Sequence, residues 1–221
     1  MTLRGVLFDL DGTLGDHDAS VELALTAWLP TVGMVADPAT IARWHEVAEK
    51  HLATWRRREI DFPEQRRRRL RDFGFSDDPE GLDAVFGGYL VEYESAYHAF
   101  GDVTGALAAV AARGLRVAVL TNGSAGQQRK KLARMGLADL GPVWTPDDLG
   151  MAKPDPGAFR GTVARWGLRP GEVLSVGDRH DLDVLAARAA GLRAVHLDRW
   201  GTGPLDEPHR ITSLNELSDH L

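Results

Sequence analysis

The sequence contains no cysteine among its 221 residues, which excludes a disulfide scaffold, thiolate catalysis and Cys-ligated zinc or iron–sulfur sites. It has no apolar run near the about 18 residues that a membrane span needs, and its first residues lead into a strand pattern instead of a signal-peptide core. Basic residues are not in excess either: 26 Lys and Arg stand against 32 Asp and Glu, for a formal charge of -6. Phosphate-rich polymers and anionic membranes select basic surfaces. We therefore expect a cytoplasmic protein that binds neither polymeric nucleic acid nor a membrane.

Short apolar runs alternate with helical patterns along most of the chain. Such alternation predicts an α/β fold in which right-handed crossovers build a parallel sheet. The predicted strands cover 5–10, 116–121, 142–145, 173–177 and 193–198. The predicted helices between them cover 103–113, 126–135, 155–166 and 181–190. A glycine follows each of these helices, as expected for a left-handed C-terminal cap, at Gly114, Gly136, Gly167 and Gly191.

The stretch 15–100 interrupts this alternation, because it contains long helical patterns and no convincing strand. Helices are predicted over 19–32, 38–58, 63–73 and 81–98. We interpret this stretch as an all-helical cap domain inserted into an α/β core formed by residues 1–14 and 101–221. The cap has an arginine-rich segment, Arg56 to Arg71, whose adjacent side chains point in different directions around a helix, so most of them should be solvated.

The most informative segment is Asp9-Leu-Asp11-Gly-Thr-Leu, at the end of the first predicted strand. Leaving the strand at Gly12 lets both carboxylates approach one site at the carboxyl edge of the sheet, where open α/β sheets bind ligands. Two neighbouring carboxylates can act as nucleophile and as acid, and they are also hard oxygen ligands for Mg²⁺.

Three later segments place polar groups at the same predicted edge. Thr121 and Asn122 follow the second strand and can donate hydrogen bonds to an oxyanion. Lys153 lies in a loop just before a helix, where its charge can neutralise a phosphate. Asp178 and Asp183 follow a later strand and can complete the oxygen shell of a cation. Taken singly, each segment is also compatible with an ordinary turn or a surface charge.

Together the four segments resemble the motifs of the haloacid-dehalogenase superfamily, whose members are mostly phosphoryl-transfer enzymes. The resemblance covers the whole chain and implies a three-layer, Rossmann-like parallel sheet with an inserted helical cap. It implies that Asp9 attacks phosphorus, that Asp11 is the acid and base, and that Lys153 holds nucleophile and phosphate together. The remaining implied roles are phosphate binding by Thr121 and Asn122, Mg²⁺ binding by the Asp9 side chain, the Asp11 carbonyl and Asp178, and support of the metal site by Asp183.

Asp11 decides the expected reaction class. Dehalogenases of the superfamily have no acid at this position, since a halide leaves without a proton, whereas a phosphatase needs a proton donor. We therefore expect a Mg²⁺-dependent phosphatase that hydrolyses a small phosphorylated metabolite through an aspartyl phosphate. A phosphomutase of the same superfamily and a non-enzymatic domain that stores an aspartyl phosphate for signalling remain alternatives. The oligomeric state stays open.

Overall fold

The computed structural model describes residues 2–76 and 78–221 and divides the chain into two compact units. One unit comprises Met1–Asp16 together with His98–Leu221, and the other is the continuous segment His17–Tyr97. The second unit therefore interrupts the sequence of the first one, between its first strand and its first helix.

The first unit is built on a six-stranded sheet in which every neighbouring pair is parallel. Its strands are β1 (Gly5–Phe8), β2 (Arg116–Leu120), β3 (Val143–Trp144), β4 (Val173–Gly177), β5 (Arg193–Leu197) and β6 (Arg210–Ile211). Their order across the sheet is β3-β2-β1-β4-β5-β6. The α/β class and the five predicted strands are confirmed. The sequence analysis did not predict β6, because Arg210–Ile211 does not lie in an apolar run like those that mark the other five strands.

Helices cover both faces of this sheet. They are α5 (Val103–Ala112), α6 (Ala125–Arg134), α7 (Pro146–Leu149), α8 (Pro156–Trp166) and α9 (Ala186–Ala189), with short 3₁₀ turns at Pro170–Glu172 and Leu214–His220. Val6 and Phe8 of β1 pack into one apolar cluster with residues of α5 and α6, while Leu7 packs into a second cluster with α8 and α9. This alternation along a strand buried on both faces places β1 in the centre of three layers.

The segment after β4 differs from the predicted regular helix over 181–190. It begins with a π-helical turn, His180–Leu185, and only then continues as α9. The Asp183 carboxylate accepts a hydrogen bond from the Arg179 backbone N–H at 3.1 Å and a second bond from Lys153 at 2.5 Å, which draws this turn toward the sheet edge. Single π-helical turns are frequent at functional sites.

The second unit consists of helices, as the sequence pattern indicates. They are α1 (His17–Trp28), a 3₁₀ turn (Leu29–Val32), α2 (Pro38–Arg56), α3 (Phe62–Phe73) and α4 (Pro79–Ser95). Asp37, Asp61 and Asp78 precede α2, α3 and α4, and each carboxylate accepts a hydrogen bond from a backbone N–H of the first turn. Such N-caps typically stabilise a helix by about 1 kcal/mol each.

Most arginines of the arginine-rich segment contact acidic or aromatic side chains of the second unit itself. Arg56, Arg57, Arg67, Arg68 and Arg71 form ion pairs with neighbouring acidic residues. Two others stack on aromatic rings: the guanidinium carbon of Arg69 lies 4.0 Å from the ring centre of Trp44, and that of Arg66 lies 4.7 Å from Phe62. Ion pairs and ring stacking therefore account for most of the arginine-rich segment.

Within the part of the chain that the structure describes, no helix combines the length and the apolar character that crossing a bilayer requires.

Candidate active site

The loop after β1 brings Asp9 to the carboxyl edge of the sheet. Its tight course is fixed by the Leu10 carbonyl, which accepts backbone hydrogen bonds from Leu14 and Gly15 at 3.0 and 2.8 Å. Gly12 has φ +85°, and a Cβ atom there would lie 2.5 Å from a carboxylate oxygen of Asp178. Only glycine tolerates both the positive φ and the close approach. The sequence Asp-Gly-Thr therefore allows the first motif to lie directly against Asp178.

Lys153 connects two of the carboxylates. Its Nζ atom lies 2.6 Å from Asp9 Oδ1 and 2.5 Å from Asp183 Oδ1, and its side chain is only 3% exposed. The other oxygen of Asp9 accepts a hydrogen bond from the Thr13 hydroxyl at 3.3 Å, and Thr13 in turn accepts from the backbone N–H of Asp178 at 3.1 Å. The first motif, the lysine and the last acidic motif thus form one connected network, whose residues follow β1, α7 and β4.

Three carboxylates of this network can hold a cation. Asp9, Asp178 and Asp183 each offer an oxygen atom, and these atoms lie within 4.8 Å of one another. The positive charge of Lys153 balances one of three ionised carboxylates, and one divalent cation would balance the other two. Carboxylate oxygens are the ligands that Mg²⁺ prefers. The residues present therefore fit the expected magnesium ion. The expected contribution of Asp11 is its backbone carbonyl, which stays a prediction; its carboxylate lies outside this cluster and contacts Lys131 and Gln128.

The pKa values of these groups reflect their burial first and the neighbouring charges second. Burial is the main cause that raises the pKa of Asp9 to about 7 from an ordinary value of 3.8, against the opposing effect of Lys153. Burial, followed by the charges of Asp9 and Asp183, also raises the pKa of Asp178 well above its ordinary value. Burial by itself lowers the pKa of Lys153, but Asp183 and Asp9 outweigh it and raise that pKa. Without a cation, the site therefore favours binding protons.

The Asp11 carboxylate is held by two side chains of α6. Lys131 Nζ lies 2.5 Å from its Oδ1 atom, and Gln128 Nε2 donates to its Oδ2 atom at 3.0 Å. Gln128 Nε2 also lies 2.7 Å from the Thr121 hydroxyl. The sequence reading did not identify Gln128 or Lys131. These two residues are three positions apart, so they share one face of the helix that directly follows the second motif. That spacing is the sequence pattern from which their contact with the site could have been predicted.

The two residues of the second motif have different surroundings. Thr121 is buried and its hydroxyl oxygen contacts Gln128. The Asn122 side chain spans the backbone of Lys153: it donates to the Lys153 carbonyl and accepts from the Lys153 N–H, both at 2.8 Å. Asn122 therefore links the second motif to the lysine loop, and its contact with phosphate stays a prediction.

The predicted residues fall into two groups. Asp9, Lys153, Asp178 and Asp183 are in direct contact or in one carboxylate cluster, whereas Asp11 and Thr121 are joined through Gln128. His180, which lies beside the last motif, binds Glu207 at 3.0 Å and takes no part in the cluster of carboxylates.

Comparison with known proteins identifies hydrolases and phosphatases that are similar to this chain. Residues 3–191 match the family model of the haloacid dehalogenase-like hydrolases. The chain is 35% identical over 182 residues to a phosphoserine phosphatase of Thermus thermophilus, covering 81% of this chain and 70% of the relative. It is 31% identical over 207 residues to a phosphoglycolate phosphatase of Escherichia coli, covering 88% of this chain and 81% of the relative.

Solved structures share the fold over its whole length. YfnB of Bacillus subtilis, a protein with magnesium bound, has a TM-score of 0.84 at 20% identity, covering 100% of this chain and 99% of that one. A phosphatase of Thermococcus onnurineus has a TM-score of 0.71 at 28% identity, covering 99% and 97%. A dehalogenase of Pseudomonas syringae has a TM-score of 0.69 at 28% identity, with the same coverage. The chain belongs to the haloacid dehalogenase-like hydrolase family, as a phosphatase-type member.

Proposed function

We propose that this protein is a Mg²⁺-dependent phosphatase that hydrolyses a small phosphorylated metabolite through an aspartyl phosphate on Asp9. The observation that carries the proposal is the position of Asp9, whose carboxylate lies 2.6 Å from Lys153 within a cluster of three acids at the carboxyl edge of the sheet. The phosphatases to which the chain is similar act on phosphoserine and phosphoglycolate, which are substrates of this size class.

In the first step, a carboxylate oxygen of Asp9 attacks the phosphorus atom, and the bond from phosphorus to the leaving oxygen breaks. Asp11 gives its proton to that oxygen, so that an alcohol departs instead of an alkoxide. In the second step, water attacks the phosphorus of the aspartyl phosphate, Asp11 accepts the proton of the water, and Asp9 is regenerated with release of inorganic phosphate. General acid–base catalysis of this kind typically contributes about 10² to 10⁴ in rate.

Charge at the transferring group is the main barrier in phosphoryl transfer, and positioned positive groups lower it. Lys153 holds Asp9 in place and faces the oxygens of an incoming phosphate, and the Thr121 hydroxyl adds a donor. Asp9 and Asp178, with the backbone carbonyl of Asp11, are the proposed holders of Mg²⁺, and Asp183 supports them through Lys153. When bound, Mg²⁺ supplies positive charge that keeps the carboxylates ionised and polarises the phosphate oxygens.

Asp11 argues for a phosphatase rather than a dehalogenase, although structures of both kinds share the fold. A halide needs no proton on departure, so a dehalogenase has no use for an acid at this place. The Asp11 carboxyl lies beside the Thr121 hydroxyl, since both contact the same amide nitrogen of Gln128. It is thus close to the proposed phosphate-binding group, as a proton donor to the leaving oxygen must be.

Release of inorganic phosphate from a panel of small phosphorylated metabolites tests the proposal. Activity should require Mg²⁺, disappear with a chelator and fall by at least about 10³ in Asp9→Asn, since nucleophile and metal ligand are lost together. Asp181→Asn is the matched control, because it makes the same substitution at an exposed carboxylate between Asp178 and Asp183, which pairs with Arg179. Full activity of Asp9→Asn, or activity that survives the chelator, would contradict the proposal.

A further inference from the structure

Two side chains of helix α6, the Lys131 ammonium and the Gln128 amide, contact the Asp11 carboxylate. Lys131 and Gln128 are both buried, with exposed fractions of 6% and 1%. Lys131 Nζ donates to one oxygen of the Asp11 carboxylate at 2.5 Å, and Gln128 Nε2 donates to the other oxygen at 3.0 Å. A carboxylate bound at both oxygens cannot rotate about its terminal bond without breaking a hydrogen bond.

Stability alone is a poor explanation for this pair of side chains. A buried lysine loses its hydration, and an apolar residue of similar volume is often as stabilising or more so. The Gln128 carbonyl oxygen Oε1 is buried and finds no hydrogen-bond partner within residues 2–76 and 78–221. Leaving a buried acceptor unpaired costs about 1–3 kcal/mol. If the Gln128 amide were rotated by about 180°, Oε1 would lie against an oxygen of the Asp11 carboxylate, and two hydrogen-bond acceptors would be in contact. Burying Lys131 and burying the Gln128 oxygen without a partner are both unfavourable. What the two side chains have in common is that they hold the Asp11 carboxylate in place.

Backbone hydrogen bonds fix the course of the loop that carries Asp11, but they do not by themselves orient its carboxyl group. The residue directly precedes Gly12, whose backbone has a positive φ, and the Asp11 side chain is 28% exposed. Proton transfer depends strongly on geometry, since an error of about 1 Å in position can cost about 10² in rate.

We propose that Lys131 and Gln128 are positioning residues that fix the Asp11 carboxyl group for proton transfer to the leaving oxygen, and that Gln128 couples its position to Thr121. This inference rests on the proposed phosphatase function. Neither residue transfers a proton or contacts the phosphorus; both act through Asp11.

The leaving group provides the test. Dinitrophenyl phosphate releases a phenolate that needs no proton, whereas an alkyl phosphate requires one. The parameter to measure is kcat/KM, because it reports the steps up to departure of the leaving group. Lys131→Met should lower kcat/KM by about 10- to 100-fold for the alkyl phosphate and by less than about threefold for dinitrophenyl phosphate.

Two further variants separate positioning from general damage. Lys130→Met removes the same charge from the exposed neighbouring position of α6 and should change neither value. Lys131→Gln keeps a hydrogen-bond donor, so it should lose less activity on the alkyl phosphate than Lys131→Met does. Thermal unfolding of each variant shows whether the fold is intact.

A double-mutant cycle tests whether Lys131 acts through Asp11. In an Asp11→Asn background, Lys131→Met should reduce kcat/KM for the alkyl phosphate by less than about threefold, because the group that it positions is gone. A second readout needs no substrate: the side-chain amide NMR signals of Gln128 should shift in Lys131→Met and in Asp11→Asn, and not in Lys130→Met.

Equal losses on both substrates, a full additional loss in the Asp11→Asn background, or unchanged Gln128 signals would each overturn the inference while leaving the phosphatase function intact. A wild-type protein that releases no phosphate from either ester would contradict the proposed function and this inference with it.

Discussion

In the absence of a divalent cation, the protein should lose stability as the pH rises from about 4 to about 7. The cause is Asp9, whose pKa is raised from 3.8 to about 7 by burial. Between these two pH values the folded protein keeps a proton on Asp9 that the unfolded chain has already released. The unfolded state binds fewer protons, so the free energy of unfolding falls with rising pH and levels off above about 7.

The size of the effect follows from the two pKa values. Each unit of difference in pKa corresponds to about 1.4 kcal/mol, so a rise from 3.8 to about 7 gives on the order of 4 kcal/mol for Asp9. Asp9→Asn removes this contribution, since the amide stays neutral in both states. Its carbonyl can still accept from Lys153, and its amide can donate to the Thr13 hydroxyl.

The assay is urea unfolding with a chelator present, at several pH values from 4 to 8.5, for wild type, Asp9→Asn and the exposed control Asp181→Asn. The difference in free energy of unfolding between Asp9→Asn and wild type should be small near pH 4 and grow by about 4 kcal/mol in favour of the variant by pH 8. Asp181→Asn should follow wild type. Saturating Mg²⁺ at pH 8 should stabilise wild type, because it binds the folded state, and should stabilise Asp9→Asn much less.

A difference curve that is flat across this range would refute the reasoning, because it would show that Asp9 ionises in the folded protein as it does in water. Equal stabilisation of wild type and Asp9→Asn by Mg²⁺ would refute the assignment of the cation to this cluster.

Three further perturbations have defined outcomes. Lys153→Met should abolish phosphatase activity and lower the unfolding free energy at pH 8 by about 3–5 kcal/mol, because it leaves buried carboxylates unpaired. Gly12→Ala should cost about 1–3 kcal/mol and weaken Mg²⁺ stabilisation in thermal melts, through its positive φ and the approach of its Cβ atom to Asp178. The hydrogen bond from Arg188 is the main cause that lowers the pKa of Glu207 to about 2. Glu207→Gln should therefore destabilise by about 1–2 kcal/mol at pH 7, and this difference, measured by urea unfolding, should shrink as the pH falls from 4.5 toward 2.

The sequence predicted the parts of the site that follow strands. Asp9, Thr121 and Asp178 each come directly after a short apolar run, and parallel strands bring their carboxyl ends to one edge of the sheet. That inference needs only the order of the elements and no side-chain detail. For the same reason the five strands that lie in apolar runs were recognised, whereas β6, in which only Ile211 is apolar, was not.

The residues that the sequence did not reveal lie inside helices. Gln128 and Lys131 stand in the polar run Gln127-Gln-Arg-Lys-Lys131, where nothing in the composition says which side faces the protein interior. In the structure, Leu132 and Lys131 are both buried, which shows which side of α6 faces the protein interior. The π-helical turn that contains Asp183 was missed for a related reason: it depends on a contact with Lys153, which is distant in sequence.

Trapping the covalent intermediate tests the central claim most directly. The protein is mixed with a phosphorylated substrate that it hydrolyses in the presence of Mg²⁺, quenched in acid during turnover and treated with hydroxylamine, which converts an aspartyl phosphate into a hydroxamate that mass spectrometry can locate. The predicted result is a hydroxamate at Asp9 that is absent without substrate and absent in Asp9→Asn. A hydroxamate at another acidic residue, or rapid turnover with none at Asp9, would contradict the account.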